Sequence, residues 1–312
     1  MTPTPTTINR PAVIAVSLWV GVLLIISRWV GLQSYHWFPV QASNAAPLVD
    51  GLFSFETTIG TFVFLAVSSV MAWVLLRHRA EKYDATDAEP IEGNTKLEII
   101  WTVIPLVLVM AIAVYTMKVN TSLGVLGPME HIHLSDPQEQ QGGYPGDRLP
   151  AETIEVVARQ WSWEFRYPES GVSSTELHLP LDQPVSFRLV SQDVLHGFFI
   201  PAFRLKQDVI PGRAINFNLT PTRVGRYRLR DSQFSGTWFA ANQADVVVES
   251  KDTYQAWLKR AANQPLQPGI STAVEEYQQR LKQTTTPGWA TVKPAPPPQV
   301  NIPGSNALPH DA

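Results

Sequence analysis

Three long apolar stretches dominate the first third of the chain. They run from Pro11 to Ser27, from Ile59 to Leu76 and from Ile99 to Met117, and each lacks a charged residue. The second and third are close to the length at which a helix spans a hydrocarbon core of about 30 Å, so both are predicted to be transmembrane. Pro105 lies inside the third stretch and predicts a kink in that helix.

The first apolar stretch has two interpretations. It follows Arg10 and also fits the core of a secretory signal peptide, with the "VQA" that ends at Ala42 as the cleavage site. That site lies far beyond the apolar run, which is atypical of signal peptides. An uncleaved helix is therefore favoured, and cleavage stays the alternative.

Basic residues give the predicted orientation in the membrane. The segment between the second and third apolar stretches carries several of them and is predicted to be cytoplasmic: Arg77, Arg79, Lys82 and Lys96. Three spans then place the chain after Met117 on the opposite side, in the periplasm or an equivalent lumen.

Beyond the apolar stretches the pattern changes to alternation. Runs such as "TIEVVARQWSWEFRYP" and "GRAINFNLTPTRVGRYRLR" alternate apolar and polar positions and are separated by Pro, Gly, Asp and Ser. This spacing is typical of an all-β sandwich or barrel, and a sandwich is predicted over residues 151–250. Two short helices are predicted after it, with Asp252 and Ser271 as their N-caps.

These patterns divide the chain into predicted segments. The fold class is membrane-anchored all-β, with two or three N-terminal transmembrane helices in front of the sandwich. The lead-in to the sandwich is rich in Gly and Pro, and the Pro-rich C-terminal tail is predicted to be extended and mostly disordered. The segments are an N-terminal segment with an apolar helix or signal anchor (1–52), a transmembrane helical hairpin (53–120), a linker (121–150), the sandwich (151–250), short helices (251–283) and the tail (284–312).

Composition excludes several kinds of chemistry. The net charge of -3 provides no basic field that would attract nucleic acid. The chain has no cysteine, so disulfides, zinc ribbons and thiolate chemistry are excluded. His131 and His133 share one face of the linker if it is extended, but a histidine pair in a Pro-rich lead-in is more often solvated than metal-bound.

Four stretches resemble subunit II of the heme-copper respiratory oxidases, in the same order and at similar separations. They are "LEIIWTVIP", "ARQWSWEFRYP", "DVLHGFFIPAFRLKQDVIPGR" and "RDSQFSGTWFAANQADVVVE". The resemblance covers nearly the whole chain up to residue 250. It implies that the sandwich is cupredoxin-like, a fold that in this family normally holds a dinuclear copper centre, CuA, which accepts electrons from cytochrome c.

The resemblance carries the copper-ligand positions of the family onto this chain one by one. The first histidine of the family's ligand set matches His196. The two bridging cysteines fall on Asp231 and Ser235, and the residue that contributes its main-chain carbonyl falls on Gln233. The second histidine falls on Phe239 and the methionine on Asn242. All but His196 have changed type, although the intervals between them are kept. Bridged copper ions need soft thiolates, and a phenyl ring offers no lone pair. The sequence therefore predicts no metal in this chain.

Two alternatives concern what the changed positions now do. Oxygen ligands from Asp231, Gln233, Ser235 and Asn242 suit a hard cation such as Mg²⁺ or Ca²⁺, but one carboxylate among amides and a hydroxyl is weakly charged for such a site. The favoured interpretation is that packing of Phe239 and side-chain hydrogen bonds close the pocket. His196 is then a hydrogen-bonded, partly buried histidine and not a ligand.

The resemblance implies a function for the whole complex. Family members without CuA are quinol oxidases, and this chain resembles the cyanobacterial alternative respiratory terminal oxidases among them. The expected complex reduces dioxygen to water, translocates protons and uses plastoquinol or ubiquinol. Subunit I is expected to hold the hemes, one copper and the quinol, with subunit III as a further partner, in a bacterial plasma membrane or a cyanobacterial thylakoid membrane. The alternatives are a cytochrome c oxidase subunit II with an atypical copper site, and a membrane-anchored assembly or binding module.

Three more residues are singled out by the resemblance. Glu98, at the cytoplasmic end of the third apolar stretch, matches a carboxylate at the entrance of the family's proton path, although an acid near a helix N-terminus is also favourable by itself. Trp161 and Trp163 match aromatic residues at which the family docks cytochrome c. Alternation places both on one face of a strand, where we expect core or subunit-contact roles.

Overall fold

The computed structural model describes residues 10–77, 79, 93–123, 129–131, 152–282 and 294–302. These residues form two compact units. One unit contains the helical segments up to Phe38 and Val49–Val119, and the other contains Pro39–Leu48 and the chain from Asn120 onward.

The first unit consists of three long apolar helices: α1 (Arg10–Gln33), α2 (Ala46–Arg77) and α3 (Thr95–Leu123). Each is longer than the apolar stretch that predicted it, and each is long and apolar enough to cross a membrane. The prediction of transmembrane helices is confirmed for all three stretches. Pro105 lies within α3, which is one continuous helix on both sides of the proline.

A close approach between α1 and α2 explains one glycine. A Cβ atom added to Gly31 would lie 1.9 Å from Thr58 Oγ1 and 2.8 Å from the carbonyl oxygen of Ser54. The Ser54 hydroxyl donates a hydrogen bond to the carbonyl oxygen of Gly31 at 2.5 Å. A larger side chain at residue 31 would separate the two helices. Small residues commonly stand where the backbones of membrane helices approach each other closely.

The second unit is the predicted β-sandwich. A six-stranded sheet has the order β1-β9-β6-β2-β3-β4, and a five-stranded sheet has the order β5-β11-β10-β7-β8. The strands are β1 (Met129–His131), β2 (Glu152–Arg159), β3 (Ser162–Tyr167), β4 (Val172–Ser174), β5 (Leu177–Pro180), β6 (Val185–Ser191), β7 (His196–Ile200), β8 (Leu205–Val209), β9 (Arg213–Leu219), β10 (Gly225–Asp231), β11 (Gln243–Glu249), β12 (Gln267–Pro268) and β13 (Gln299–Val300).

The core lies between the two sheets and is rich in aromatic residues. Phe187 of β6 and Phe217 of β9 are paired in register and stack with ring centroids 4.9 Å apart, and Phe198 of β7 packs on both from the other sheet. All three are fully buried. Alternate positions of these strands therefore supply the apolar faces that the sequence pattern predicted.

Part of the predicted N-terminal segment belongs to the sandwich. The main chain of Ala42 donates to the carbonyl oxygen of Ala202 and accepts from the amide of Thr222, both at 3.0 Å. Ser43 forms an isolated bridge with Pro221. The predicted assignment of all residues up to 52 to one N-terminal segment is therefore wrong. Residues 39–48 belong with the domain that follows α3, to which backbone hydrogen bonds join them.

The predicted linker is also partly structured. Met129–His131 form β1, which pairs antiparallel with β9 at the edge of the six-stranded sheet. The main chain of His131 is thus extended, as its pattern suggested, whereas His133 lies outside the described residues. Residues 124–128 and 132–150 of the linker lie outside them as well.

Two helices follow the sandwich, as predicted: α4 (Lys251–Ala262) and α5 (Thr272–Lys282). The N-cap of α4 is Ser250, whose hydroxyl accepts from the amide of Thr253, so the prediction of Asp252 as N-cap is wrong. Asp252 lies in the first turn of α4. Ser271 precedes α5 and accepts from the amide of Val274 at 3.4 Å, as an N-cap does.

The predicted disorder of the tail is wrong for residues 294–302. There β13 pairs with β12, and the main-chain amide of Asn301 donates to the carbonyl oxygen of Ser173 at 2.9 Å. Ile302 forms a parallel bridge with Ser174. These contacts cover the free edge of β4, and a covered edge is protected from pairing with other chains. The remainder of the tail lies outside the described residues.

Candidate functional site

Three strands of the five-stranded sheet bring the predicted site residues together. His196 begins β7, Asp231 ends β10, and Asn242 comes directly before β11. β7 pairs with β10 so that Asp231 faces Phe198, and β10 pairs with β11. Residues 232–242, which we call the Asp231 loop, connect the ends of β10 and β11.

The Asp231 carboxylate is the centre of the site and is completely buried. Its Oδ2 atom accepts from the Ser235 hydroxyl at 2.7 Å and from the Asn242 side-chain amide at 3.1 Å. The same oxygen lies 2.7 Å from Nδ1 of His196. The structure thus brings together four of the predicted residues in one hydrogen-bonded cluster, which we call the Asp231 cluster.

The backbone completes the environment of this carboxylate. Asp231 Oδ1 accepts from the main-chain amides of Gly197 at 2.7 Å and Gln233 at 3.1 Å. A Cβ atom at Gly197 would lie 2.2 Å from the Ser232 hydroxyl and 2.9 Å from the amide nitrogen of Gln233. Glycine is therefore required at residue 197 for the loop to approach β7 closely.

His196 lies between two carboxylates. Its Nδ1 contacts Asp231, and its Nε2 lies 2.8 Å from Oδ1 of Asp193. Burial by itself lowers the pKa of the His196 imidazole, but the hydrogen bonds and negative charges of Asp193 and Asp231 outweigh burial and raise this pKa above its usual value. A carboxylate at each nitrogen stabilises the protonated form, in which both nitrogens donate. The side chain is completely buried, so the prediction of partial burial is wrong.

Asp193 is a functional residue that the sequence reasoning missed. Its carboxylate also accepts from the main-chain amides of Gln160 and Val194, both at 2.6 Å. Burial by itself raises the pKa of Asp193. The hydrogen bonds from His196 and from these amides outweigh burial, so the pKa of Asp193 lies below its usual value. The signal was present in the sequence, because an acid stands three residues before His196 in "DVLH".

Two predicted site residues stand apart from the cluster. The Gln233 side-chain amide donates to Asp208 at 2.7 Å, away from Asp231. Phe239 is only partly buried, and its ring packs edge-to-face on Phe234, with ring centroids 5.2 Å apart. Side-chain hydrogen bonds of the kind expected occupy the centre of the pocket. The part given to Phe239 in closing the pocket stays a prediction.

Both tryptophans are buried and hold the Asp231 loop. The indole N–H of Trp161 donates to the carbonyl oxygen of Ser235, and that of Trp163 to the carbonyl oxygen of Asn242, each at 3.1 Å. Trp163 belongs to the main core, whereas Trp161 lies in the turn between β2 and β3 and packs in a separate cluster. The prediction of one shared strand face is wrong because Trp161 is outside the strand.

Glu98 lies in the first turn of α3 and is exposed. The Asn94 side chain caps this helix by accepting from the main-chain amides of Lys96 and Leu97 at 3.1 and 3.3 Å. An acid at this position interacts favourably with the positive end of the helix dipole. Its role in a proton path stays a prediction.

The donor atoms of the cluster do not fit a dinuclear copper centre. Carboxylate and hydroxyl oxygens stand at the two positions where thiolates would bridge the metals, and both nitrogens of His196 are engaged with carboxylates. A hard cation fits poorly too, since the Gln233 side chain is bonded to Asp208. The Asp231 carboxylate is already engaged by the side chains of the cluster. Within the described residues, no group of three or more His, Cys, Asp or Glu side chains is arranged to hold a metal ion.

The charge of His196 predicts a pH dependence of stability. Because the folded state raises the pKa of His196, the stabilisation is complete below the ordinary histidine value of about 6.5 and is lost as the pH rises through the folded-state value. The lowered pKa of Asp193 acts at the other end, where stability is lost as the pH falls below about 4. We expect the free energy of unfolding to be highest between these limits, measured by denaturant unfolding across a pH series.

A variant separates this effect from the other titrating groups. His196→Gln keeps a hydrogen-bonding side chain but carries no proton that titrates near neutral pH. We expect it to lose the decrease in unfolding free energy above pH 6.5 that the unmodified protein shows. If the free energy of unfolding of the variant still decreases above pH 6.5 by the same amount, the decrease arises from other residues.

Comparisons with known proteins agree with this architecture. Residues 27–119 match the family described as cytochrome c oxidase subunit II, transmembrane domain, and residues 172–251 match its periplasmic domain. Cytochrome c oxidase subunit 2 of Synechocystis sp. is 35% identical over 283 residues, which cover 80% of this chain and 82% of that relative. Cytochrome c oxidase subunit 2 of Thermostichus vulcanus is 31% identical over 296 residues, with coverages of 82% and 90%.

A third relative carries a different name. Quinol oxidase subunit 2 of Bacillus cereus is 29% identical over 200 residues, which cover 63% of each chain. The transmembrane match contains α2, most of α3 and the end of α1, and the periplasmic match contains much of the sandwich. This is therefore an integral membrane protein whose β-domain lies on the outer side. On these grounds the chain belongs to the cytochrome c oxidase subunit II family.

Proposed function

We propose that this chain is subunit II of a proton-translocating terminal oxidase that reduces dioxygen to water with electrons taken directly from a quinol. The chain itself carries no redox centre in this proposal. Subunit I holds the hemes, one copper and the site for plastoquinol or ubiquinol, and subunit III completes the complex. The membrane is a bacterial plasma membrane or a cyanobacterial thylakoid membrane.

The Asp231 cluster is the observation that carries this proposal. Electron entry from a soluble donor would need a redox centre in the outer domain, and CuA is the centre that the family resemblance implies there. The position is filled instead by a carboxylate that accepts hydrogen bonds from a hydroxyl and an amide and that contacts an imidazole nitrogen. With no cysteine in the chain, thiolate bridges are unavailable from any other position.

A second candidate is a cytochrome c oxidase subunit II with an atypical copper site. It is favoured by the names of the relatives from Synechocystis sp. and Thermostichus vulcanus, which are both cytochrome c oxidase subunit 2. The quinol proposal is supported by the name of the Bacillus cereus relative and by the buried polar cluster. The two candidates differ in the electron donor and in the copper content of the complex.

The decisive experiment compares donors on the purified complex. Oxygen consumption is measured with a reduced quinol and with reduced cytochrome c at matched electron supply, after subtraction of uptake by each donor alone. We expect turnover with quinol and none above background with cytochrome c. A clear preference for cytochrome c would overturn the proposal.

Copper analysis of the same preparation provides an independent check. We expect the copper content to match subunit I alone and the near-infrared band of CuA to be absent. Copper in excess of the subunit I complement, together with that band, would favour the second candidate.

A further inference from the structure

Helix α5 lies beyond the segment that matches the periplasmic domain of the family, which ends at residue 251. The helix is amphipathic, with one buried and one exposed face. Ala273, Val274 and Tyr277 are buried on one face, while Thr272, Glu275 and Gln278 are exposed. Spacings of three and four residues place the buried side chains on a single stripe. This stripe must therefore be covered by another part of the domain.

The buried stripe of α5 packs on two tryptophans, Trp161 and Trp238. The Tyr277 ring lies 6.1 Å from the ring of Trp161 and 6.2 Å, edge-to-face, from that of Trp238, measured between centroids. The guanidinium carbon of Arg280 lies 4.6 Å from the centre of the Trp238 ring, a cation–π arrangement. Trp238 belongs to the loop itself, so α5 contacts the loop directly.

A second connection from α5 to the loop passes through Trp161. The Ser271 hydroxyl, at the start of α5, donates to the main-chain carbonyl oxygen of Trp161 at 2.7 Å. The Trp161 indole in turn donates to the carbonyl oxygen of Ser235, which also accepts from the side-chain amide of Gln160 at 2.6 Å. Trp161 is only 1% exposed, so its orientation is fixed by this packing.

The loop fits closely against this support. Gly236 has a φ of +114°, and a Cβ atom there would lie 2.8 Å from Nε2 of Gln160 and 3.0 Å from Cζ2 of Trp161. The chain that follows α5 is bound at the same place. The main-chain amide of Ala295 donates to the carbonyl oxygen of Gln160 at 2.7 Å. Chain segments before and after α5 thus both bind residues 160 and 161.

We propose that α5 is a positioning clamp for the Asp231 loop, which it holds from the outside through Tyr277 and Arg280 while the Asp231 cluster holds it from the inside. The loop needs such support because much of it lacks regular structure, and Phe234 at its tip is 77% exposed. The clamp is made from residues of this chain alone. The inference follows from this geometry and does not depend on the identity of the electron donor.

Hydrogen exchange of the assembled complex tests the clamp. The amides of Phe239, Ala241 and Asn242 are the reporters, since each donates a backbone hydrogen bond within the loop. In Tyr277→Ala we expect their exchange to accelerate about tenfold or more, whereas amides of β2 and β6 in the core keep their rates. Tyr277→Phe retains the ring that contacts both tryptophans and should exchange as the unmodified protein does.

A second variant keeps the test valid if Tyr277→Ala fails to fold. Arg280→Gln removes the cation over Trp238 and the exposed ion pair of Arg280 with Glu276 but leaves the buried stripe intact, so we expect a smaller acceleration confined to the loop. Gln278→Ala, on the exposed face of the same helix, is the matched control and should change nothing. Unchanged loop exchange in Tyr277→Ala, or an equal acceleration in β2 and β6, would overturn the clamp.

Discussion

Asp231→Ala is expected to destabilise the outer domain by about 3–5 kcal/mol, the range observed when one partner of a buried ion pair is removed. The substitution leaves the charged imidazole of His196 without its buried counter-ion. It also removes the acceptor for the Ser235 hydroxyl, the Asn242 amide and the main-chain amide of Gly197. Buried donors without acceptors add to the loss. Denaturant or thermal unfolding of the full-length protein in detergent measures the effect.

The matched control removes an exposed carboxylate that contacts the same loop. Asp208 is exposed and accepts a single side-chain hydrogen bond from Gln233. Asp208→Ala should change the free energy of unfolding by no more than about 0.5 kcal/mol, as is usual for surface substitutions. Equal effects of the two alanine variants would contradict the central role given to Asp231.

Glu98→Gln is expected to slow steady-state oxygen reduction about tenfold or more, the scale typical of losing a group that transfers protons. The substitution keeps the size and hydrogen-bonding capacity of the side chain but removes its exchangeable proton. A carboxylate at the cytoplasmic end of a membrane helix can collect protons, which an amide cannot do. Oxygen uptake at a saturating concentration of the electron donor that supports turnover, normalised to heme content, measures the effect.

The control for Glu98 is an acid with the same local environment but no place in a proton path. Glu275 lies in the first turn of α5 and is exposed, as Glu98 is in α3. Glu275→Gln should leave turnover unchanged, because the helix-dipole contribution is only about 0.3–1 kcal/mol at an exposed site. If turnover is unaltered in Glu98→Gln, Glu98 interacts only with the helix dipole, as Glu275 does, and has no part in a proton path.

The sequence pattern was sufficient for the architecture and for part of the site. Apolar stretches without charge identified three membrane helices, and alternation identified the sandwich, because both patterns follow directly from the geometry of helices and strands. The intervals from Asp231 to Ser235 and Asn242 also correspond to residues that meet, since a strand end and its following loop bring these three together.

Long-range contacts were beyond the reach of those patterns. The pairing of Asn301 with Ser173 joins residues far apart in the chain, and the Pro-rich composition around Asn301 favours disorder when considered alone. The role of Asp193 was missed because its side chain matters only through His196. Phe239 was assigned to the pocket by its position in the motif, but the 3-10 turn from Phe239 to Ala241 leaves its ring partly exposed.

The insertion of residues 39–48 into the outer domain bears on biogenesis. Most of this segment precedes α2 in the chain, yet its backbone pairs with the chain near Ala202 and Thr222, which are synthesised only after α3. The outer domain can therefore reach its final hydrogen bonding only after the connection between α1 and α2 has crossed the membrane. A soluble fragment that starts after α3 would lack this segment and leave the carbonyl oxygen of Ala202 without its main-chain donor. Secreted versions of the domain should accordingly carry residues 39–48 through a linker.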